Sequence, residues 1–157
     1  MTGGKHDSSL QLGLLPTKKY HDGLAPELMG LWLKDCDTYH ADCRLDVQPT
    51  LPTRLLEVGT FDSPLLRLVD TAAGALSNVK YLALSHPWGD TQKQPPFCTY
   101  RHDTGGQGLN RFLTHIDSAA MPQTFRDAVE VTRTLGVQYL WIDSLCIIQG
   151  TDGDFKT

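Results

Sequence analysis

Asp143 and Ser144 interrupt the most apolar stretch of the chain, Tyr139-Leu-Trp-Ile-Asp-Ser-Leu-Cys-Ile-Ile-Gln149. A carboxylate is costly to desolvate inside an apolar sheet, so a buried strand that meets Asp-Ser is read as ending there. A second apolar run, Val79-Lys-Tyr-Leu-Ala-Leu-Ser85, breaks off in the same way into His86-Pro-Trp-Gly-Asp90. Sites in α/β sheets lie at the carboxyl ends of strands. The acid Asp143 is therefore the catalytic candidate, and Ser144, Ser85, Trp88 and Gly89 are candidate ligand contacts. Gly89 permits close backbone approach to a ligand, and Trp88 offers a ring for stacking. Arg126, near the start of an expected helix, could reach an anion with help from the helix dipole.

Each candidate has a plainer alternative. Asp143 and Ser144 are both good helix N-caps. Trp88 could be a buried anchor, and Arg126 a surface cation paired with Asp127 or Glu130. Ser85, His86 and Asp143 are the ingredients of a hydrolase triad, but Ser85 and His86 point apart if the strand continues, and no Gly-x-Ser-x-Gly elbow is present. Cys146 with His86 could form a nucleophile pair, yet Leu-Cys-Ile-Ile is an apolar setting that leaves a thiol inert. Cys36, His40 and Cys43 invite a zinc reading. Residues seven apart on a helix lie about 10 Å apart along its axis, a long reach for one ion, and no fourth ligand is near. Packed thiols are the better reading, and no metal is expected.

The elements that must position these residues follow from periodicity. Residues 1–22 are polar and rich in Gly, Ser and Lys, and read as a flexible arm. Leu28, Trp32, Cys36, Tyr39 and Cys43 recur at helical spacing and predict an amphipathic helix from about Pro26 to Arg44. Arg54–Val58 and Leu65–Val69 resemble a β-hairpin placed before the main sheet, so residues 23–75 form a lead-in to a core over 76–157. Val79–Ser85 and Val137–Ile142 read as the strands of that core. Thr91 to Gln107 is a long excursion without elements of its own. Leu109, Phe112, Leu113 and Ile116 mark a short helix. Phe125, Ala128, Val129, Thr132 and Leu135 mark another over 123–135, stopped by Gly136. Strand, helix and strand make a crossover unit whose strands run parallel, with both polar ends on one edge. The expected class is α/β, a mostly parallel sheet flanked by helices, left incomplete where the chain stops at Thr157.

Composition narrows the function classes. With 40% hydrophobic and 20% charged residues, the chain has the makings of an ordinary globular core. A formal net charge of −4 argues against nucleic acid as a partner. No apolar run approaches the roughly 18 residues of a membrane span, and the first twenty residues lack the core of a signal peptide. The expectation is a cytoplasmic protein with its four cysteines as thiols.

Two motifs resemble a known family. Tyr81-Leu-Ala-Leu-Ser85-His-Pro-Trp88-Gly89 is similar to the first signature of the fungal heterokaryon-incompatibility (HET) domain, Y-x-A-L-S-Y-x-W-G. Met121-Pro-Gln-Thr-Phe125-Arg-Asp-Ala-Val, with Leu135-Gly136 and Tyr139 to Gln149, resembles the second. Leu51-Pro-Thr-Arg-Leu-Leu-Glu-Val and Leu66-Arg-Leu-Val look like the family's lead-in, so the likeness spans about residues 51–155. His86-Pro87 departs from the pattern, which has an aromatic and then Cys, and removes the residue that any role tied to that Cys would need.

The resemblance implies a domain that triggers programmed cell death when non-self is detected during fungal cell fusion. It also implies a distant likeness to Toll/interleukin-receptor (TIR) domains, with a flavodoxin-like fold. Some of those cleave the nicotinamide–ribose bond of NAD, which makes NAD a candidate substrate and leaves no certain cofactor. Their catalytic acid is a Glu on a later helix, whose counterpart here is expected beyond Thr157. The rival expectation is a non-catalytic module that kills by self-association or by recruiting a protein partner, through apolar patches on the 109–116 helix and the 91–107 loop.

Overall fold

The computed structural model of the protein describes residues 24–41, 50–72, 76–77, 79–92 and 96–155. The expected arm over 1–22 lies outside them. β1 (Arg54–Gly59) and β2 (Pro64–Asp70) form an antiparallel hairpin in which Leu56 faces Leu68. Its turn depends on Gly59, at φ +64°, where a Cβ would stand 2.4 Å from the Ser63 carbonyl oxygen. Only glycine takes that conformation without a clash.

β3 (Leu82–Leu84) and β5 (Tyr139–Ile142) pair in parallel, joined by a crossover that carries α3 (Gln123–Thr134). That unit is the one the sequence predicts. The sheet around it is different. Its order is β2-β1-β5-β3, with β1 antiparallel to both β2 and β5. The expectation of a mostly parallel sheet is therefore corrected: the fold is mixed α/β, its four-stranded sheet holds one parallel pair, and the hairpin belongs to that sheet with β2 at its edge. The physical reason is visible in β1. Leu55 and Leu56 point to opposite faces, and both are fully buried. A strand covered on both faces belongs in a sheet interior, and β1 gains its second edge partner in β5.

The core joins Leu56, Val58, Leu66 and Leu68 of the hairpin to Leu140 and Ile142 of β5. Phe112 of α2 (Leu109–Thr114), Ile116, Met121, and Phe125 and Val129 of α3 complete it. The apolar residues of the 109–116 segment are thus spent on the core, which corrects the expectation of an exposed patch there. Arg133, near the end of α3, donates through Nε to the Val58 carbonyl at 2.8 Å, and burial lowers its pKa. It ties the crossover helix to β1.

The excursion after β3 is also more ordered than its composition suggests. β4 (Thr99–Tyr100) pairs in parallel with β6 (Ile148–Gln149), and Cys98 and Thr99 are buried. Thr99 Oγ1 donates to the Leu145 carbonyl at 2.7 Å, a tertiary bond that local periodicity does not encode. Arg54, itself buried, donates to the Cys146 carbonyl and pairs with Asp154, whose carboxylate also accepts from the Ile148 amide.

α1 (Leu24–Tyr39) is the helix expected from the Leu28–Cys43 stripe. The packing expected of that stripe is corrected. Trp32 and Tyr39 are 63% and 76% exposed, and Leu31 and Leu33 are exposed beside them. Cys36 is half-buried, His40 is exposed, and Cys43 lies outside the described residues. No cluster of His, Cys, Asp and Glu suited to a metal occurs among the described residues.

Candidate functional site

The parallel register sets Leu84 opposite Ile142, so the residues just beyond the two strands emerge side by side. After Ile142 the chain turns into one helical turn, α4 (Asp143–Cys146), closed by the Ile147 amide on the Asp143 carbonyl. After Leu84 it runs out through Ser85 to Asp90. The Asp143 carboxylate bridges the two exits. Its Oδ2 accepts from the Trp88 indole Nε1 at 2.9 Å, and its Oδ1 accepts from the Ser144 amide at 2.7 Å. His86 Nε2 stands 3.2 Å from Oδ1, close enough for an ion pair when the ring is protonated but not aligned as a hydrogen bond.

His86 is gripped from other sides. Its Nδ1 lies 3.1 Å from the Pro87 carbonyl oxygen. Its ring meets Phe125 edge-on, with centroids 4.9 Å apart. Both ring nitrogens therefore look at acceptor oxygens, and only a doubly protonated ring could donate to both. The side chain is 11% exposed, against 36% for Asp143.

His86, Pro87, Trp88 and Phe125 wall a cleft of about 340 Å³, and Asp143 stands behind that wall, bonded to Trp88. Trp88, Phe97 and Phe125 give it an aromatic lining, Thr124 stands on the α3 side, and Ser144 lies on the β5 side. Ser144 is 1% exposed, and its Oγ has no hydrogen-bond partner. Buried hydroxyls are nearly always paired, so this one is unusual.

Of the residues singled out from sequence, Asp143, Ser144, Trp88 and Gly89 come together here. Gly89 has φ +74° with open space around it, so its demand is conformational. Trp88 is 38% exposed and pinned by its indole, so it is not the buried anchor of the plainer alternative. The capping alternative is not met: the N-cap of α4 is Ile142, and Asp143 lies inside the first turn, where it accepts from the amide that follows it. Ser85 is exposed and absent from the cleft wall, which leaves Ser85, His86 and Asp143 without triad geometry. Arg126 is turned away as well. It donates to the Met121 carbonyl and to Gln123, and it lines a separate cavity of about 450 Å³ with His115 and Arg133.

Sequence reasoning undervalued His86: the register sets Ser85 level with Asp143, and only the path of the segment after β3 brings the His86 ring to that carboxylate. Phe97 and Thr124 carried no signal, since the folding of the 91–107 excursion and the start of α3 brings them in. Cys146 is 2% exposed and its thiol is pushed up to about 12 by burial, which suits a packing role. Cys98 is pushed up to about 11, first by burial and then by the Asp143 charge.

Residues 81–157, which carry both strand ends, match the family model described as Heterokaryon incompatibility protein (HET). No curated protein and no solved structure gives a match.

Proposed function

Because residues 81–157 of this chain form a heterokaryon-incompatibility domain, we propose that it is a cytoplasmic effector of fungal non-self recognition that drives programmed cell death by cleaving NAD in the Asp143 cleft. The observation that carries this reading is the meeting of both strand ends on one carboxylate beside an aromatic cleft. Breaking the nicotinamide–ribose bond leaves positive charge on the sugar, and a fixed carboxylate stabilises it. The bonds from Trp88 Nε1 and the Ser144 amide hold Asp143 in place for that task. Water adds to the anomeric carbon, nicotinamide leaves with the bonding electrons, and one proton is released. The likeness to Toll/interleukin-receptor domains draws its support from the β3–α3–β5 unit and not from the sheet as a whole. NAD turnover by the protein, compared with Asp143→Ala, tests the proposal: loss of turnover in the variant supports it, and cell death with undiminished NAD removes it.

A second reading rests on α1. Its exposed Leu31, Trp32, Leu33 and Tyr39 suit a module that kills by self-association or by recruiting a protein partner, without chemistry. Death that survives Asp143→Ala but is lost when Trp32 and Leu33 become polar would favour it.

A further inference from the structure

We infer that the cleft takes a single nucleoside unit, a planar neutral or cationic ring with its sugar, held by the unpaired hydroxyl of Ser144 and leaving any phosphate outside. This deepens the preceding reading and rests on the cleft being a ligand site. Three observations lead to it. The first is size: about 340 Å³ stands at the small end of the roughly 300–1,000 Å³ of ligand pockets, room for one nucleoside but not for a dinucleotide. The second is charge. Among the described residues that wall the cleft there is no Lys or Arg, and the Asp143 carboxylate, held by neutral indole and amide donors, borders it. Phosphate would meet that carboxylate, whereas a cationic ring gains from it and from the Trp88 face.

The third is Ser144. Its Oγ is buried without a protein partner, on a residue that lines the cleft, so a ligand's amide or hydroxyl would satisfy it. A hydroxyl that served the fold would already have a protein partner. Ser144 therefore counts as a ligand-binding residue, distinct from Asp143, which is tied to protein donors on both oxygens.

Calorimetric titration with nicotinamide riboside, its 5′-monophosphate, and NAD tests the assignment. The riboside is expected to bind within about threefold of NAD, and the monophosphate no more tightly than the riboside. Tighter binding of the monophosphate by about tenfold or more would overturn the inference, as would failure of the riboside to bind. Ser144→Ala supplies a second readout: its melting temperature is expected to hold or rise while riboside affinity falls about tenfold. A lower melting temperature with unchanged affinity would make the hydroxyl structural and overturn the assignment. Riboside binding without NAD turnover would leave this inference standing and remove the catalytic reading. NAD turnover with phosphate-driven binding would do the reverse.

Discussion

Trp88 and Asp143, 55 residues apart in the chain, are joined by an indole-to-carboxylate hydrogen bond of 2.9 Å. The bond ties the exit of β3 to the exit of β5 and sets one wall of the cleft. Trp88→Phe keeps an aromatic ring and deletes the donor. The loss in stability is expected to be only about 0.5–1.5 kcal/mol, the net worth of one hydrogen bond. Amide exchange should nevertheless speed up over residues 85–90 and stay unchanged in β1. Equal exchange rates in wild type and variant would mean that the bond does not hold the segment.

Gly59 gives a prediction about the scaffold. Gly59→Ala places a Cβ 2.4 Å from the Ser63 oxygen at a backbone φ of +64°, so the turn must shift. Destabilisation above about 1 kcal/mol is expected in thermal or urea melts. Gly89→Ala meets open space and suffers only the conformational penalty, so it should cost less.

Arg54 is buried between the Cys146 carbonyl and the Asp154 carboxylate, linking β1 to the segment that follows α4. Arg54→Ala strands the Cys146 carbonyl, while Asp154, 34% exposed, recovers water, so the expected cost by denaturant melt is about 1–3 kcal/mol. A change under about 0.5 kcal/mol would contradict the structural role.

The buried thiols predict a pH dependence. Cys146 is raised from 9.0 to about 12 and Cys98 from 9.0 to about 11, mainly by burial. Below about pH 9 both thiols are neutral in the folded and unfolded chain, and their contribution to stability is fully present. As pH rises toward 11 and 12 the unfolded chain releases protons that the folded chain keeps, so stability falls. Melts across that window should show the decline. Alkylation near neutral pH, read by peptide mass, should modify half-buried Cys36 ahead of Cys98 and Cys146.

The chain announces its crossover unit because Val79–Ser85, the Phe125-Val129-Thr132 stripe and Val137–Ile142 each carry a clean period. Asp143 is legible for the same reason: a carboxylate has few reasons to follow four apolar residues except at a strand end. The sheet as a whole is less legible. Leu55-Leu56 looks like one rung of a hairpin, and only its burial on both faces reveals an interior strand. His86 meets Asp143 through the turn of the chain after β3, since the register itself sets Ser85 level with that carboxylate. Phe97 and Thr99 needed the 91–107 excursion to fold back on α4, which long-range bonds such as Thr99 to Leu145 decide. Exposed Trp32 shows the converse: a helical stripe in the sequence does not say what, if anything, it packs against.

The claim that the cleft beside Asp143 is the working site is tested most directly by the indole N–H resonances of the three tryptophans. On titration with nicotinamide riboside, the Trp88 indole signal should shift saturably while those of Trp32 and Trp141 stay in place. An unmoved Trp88 signal at saturation, or a shift confined to Trp32, would contradict the account.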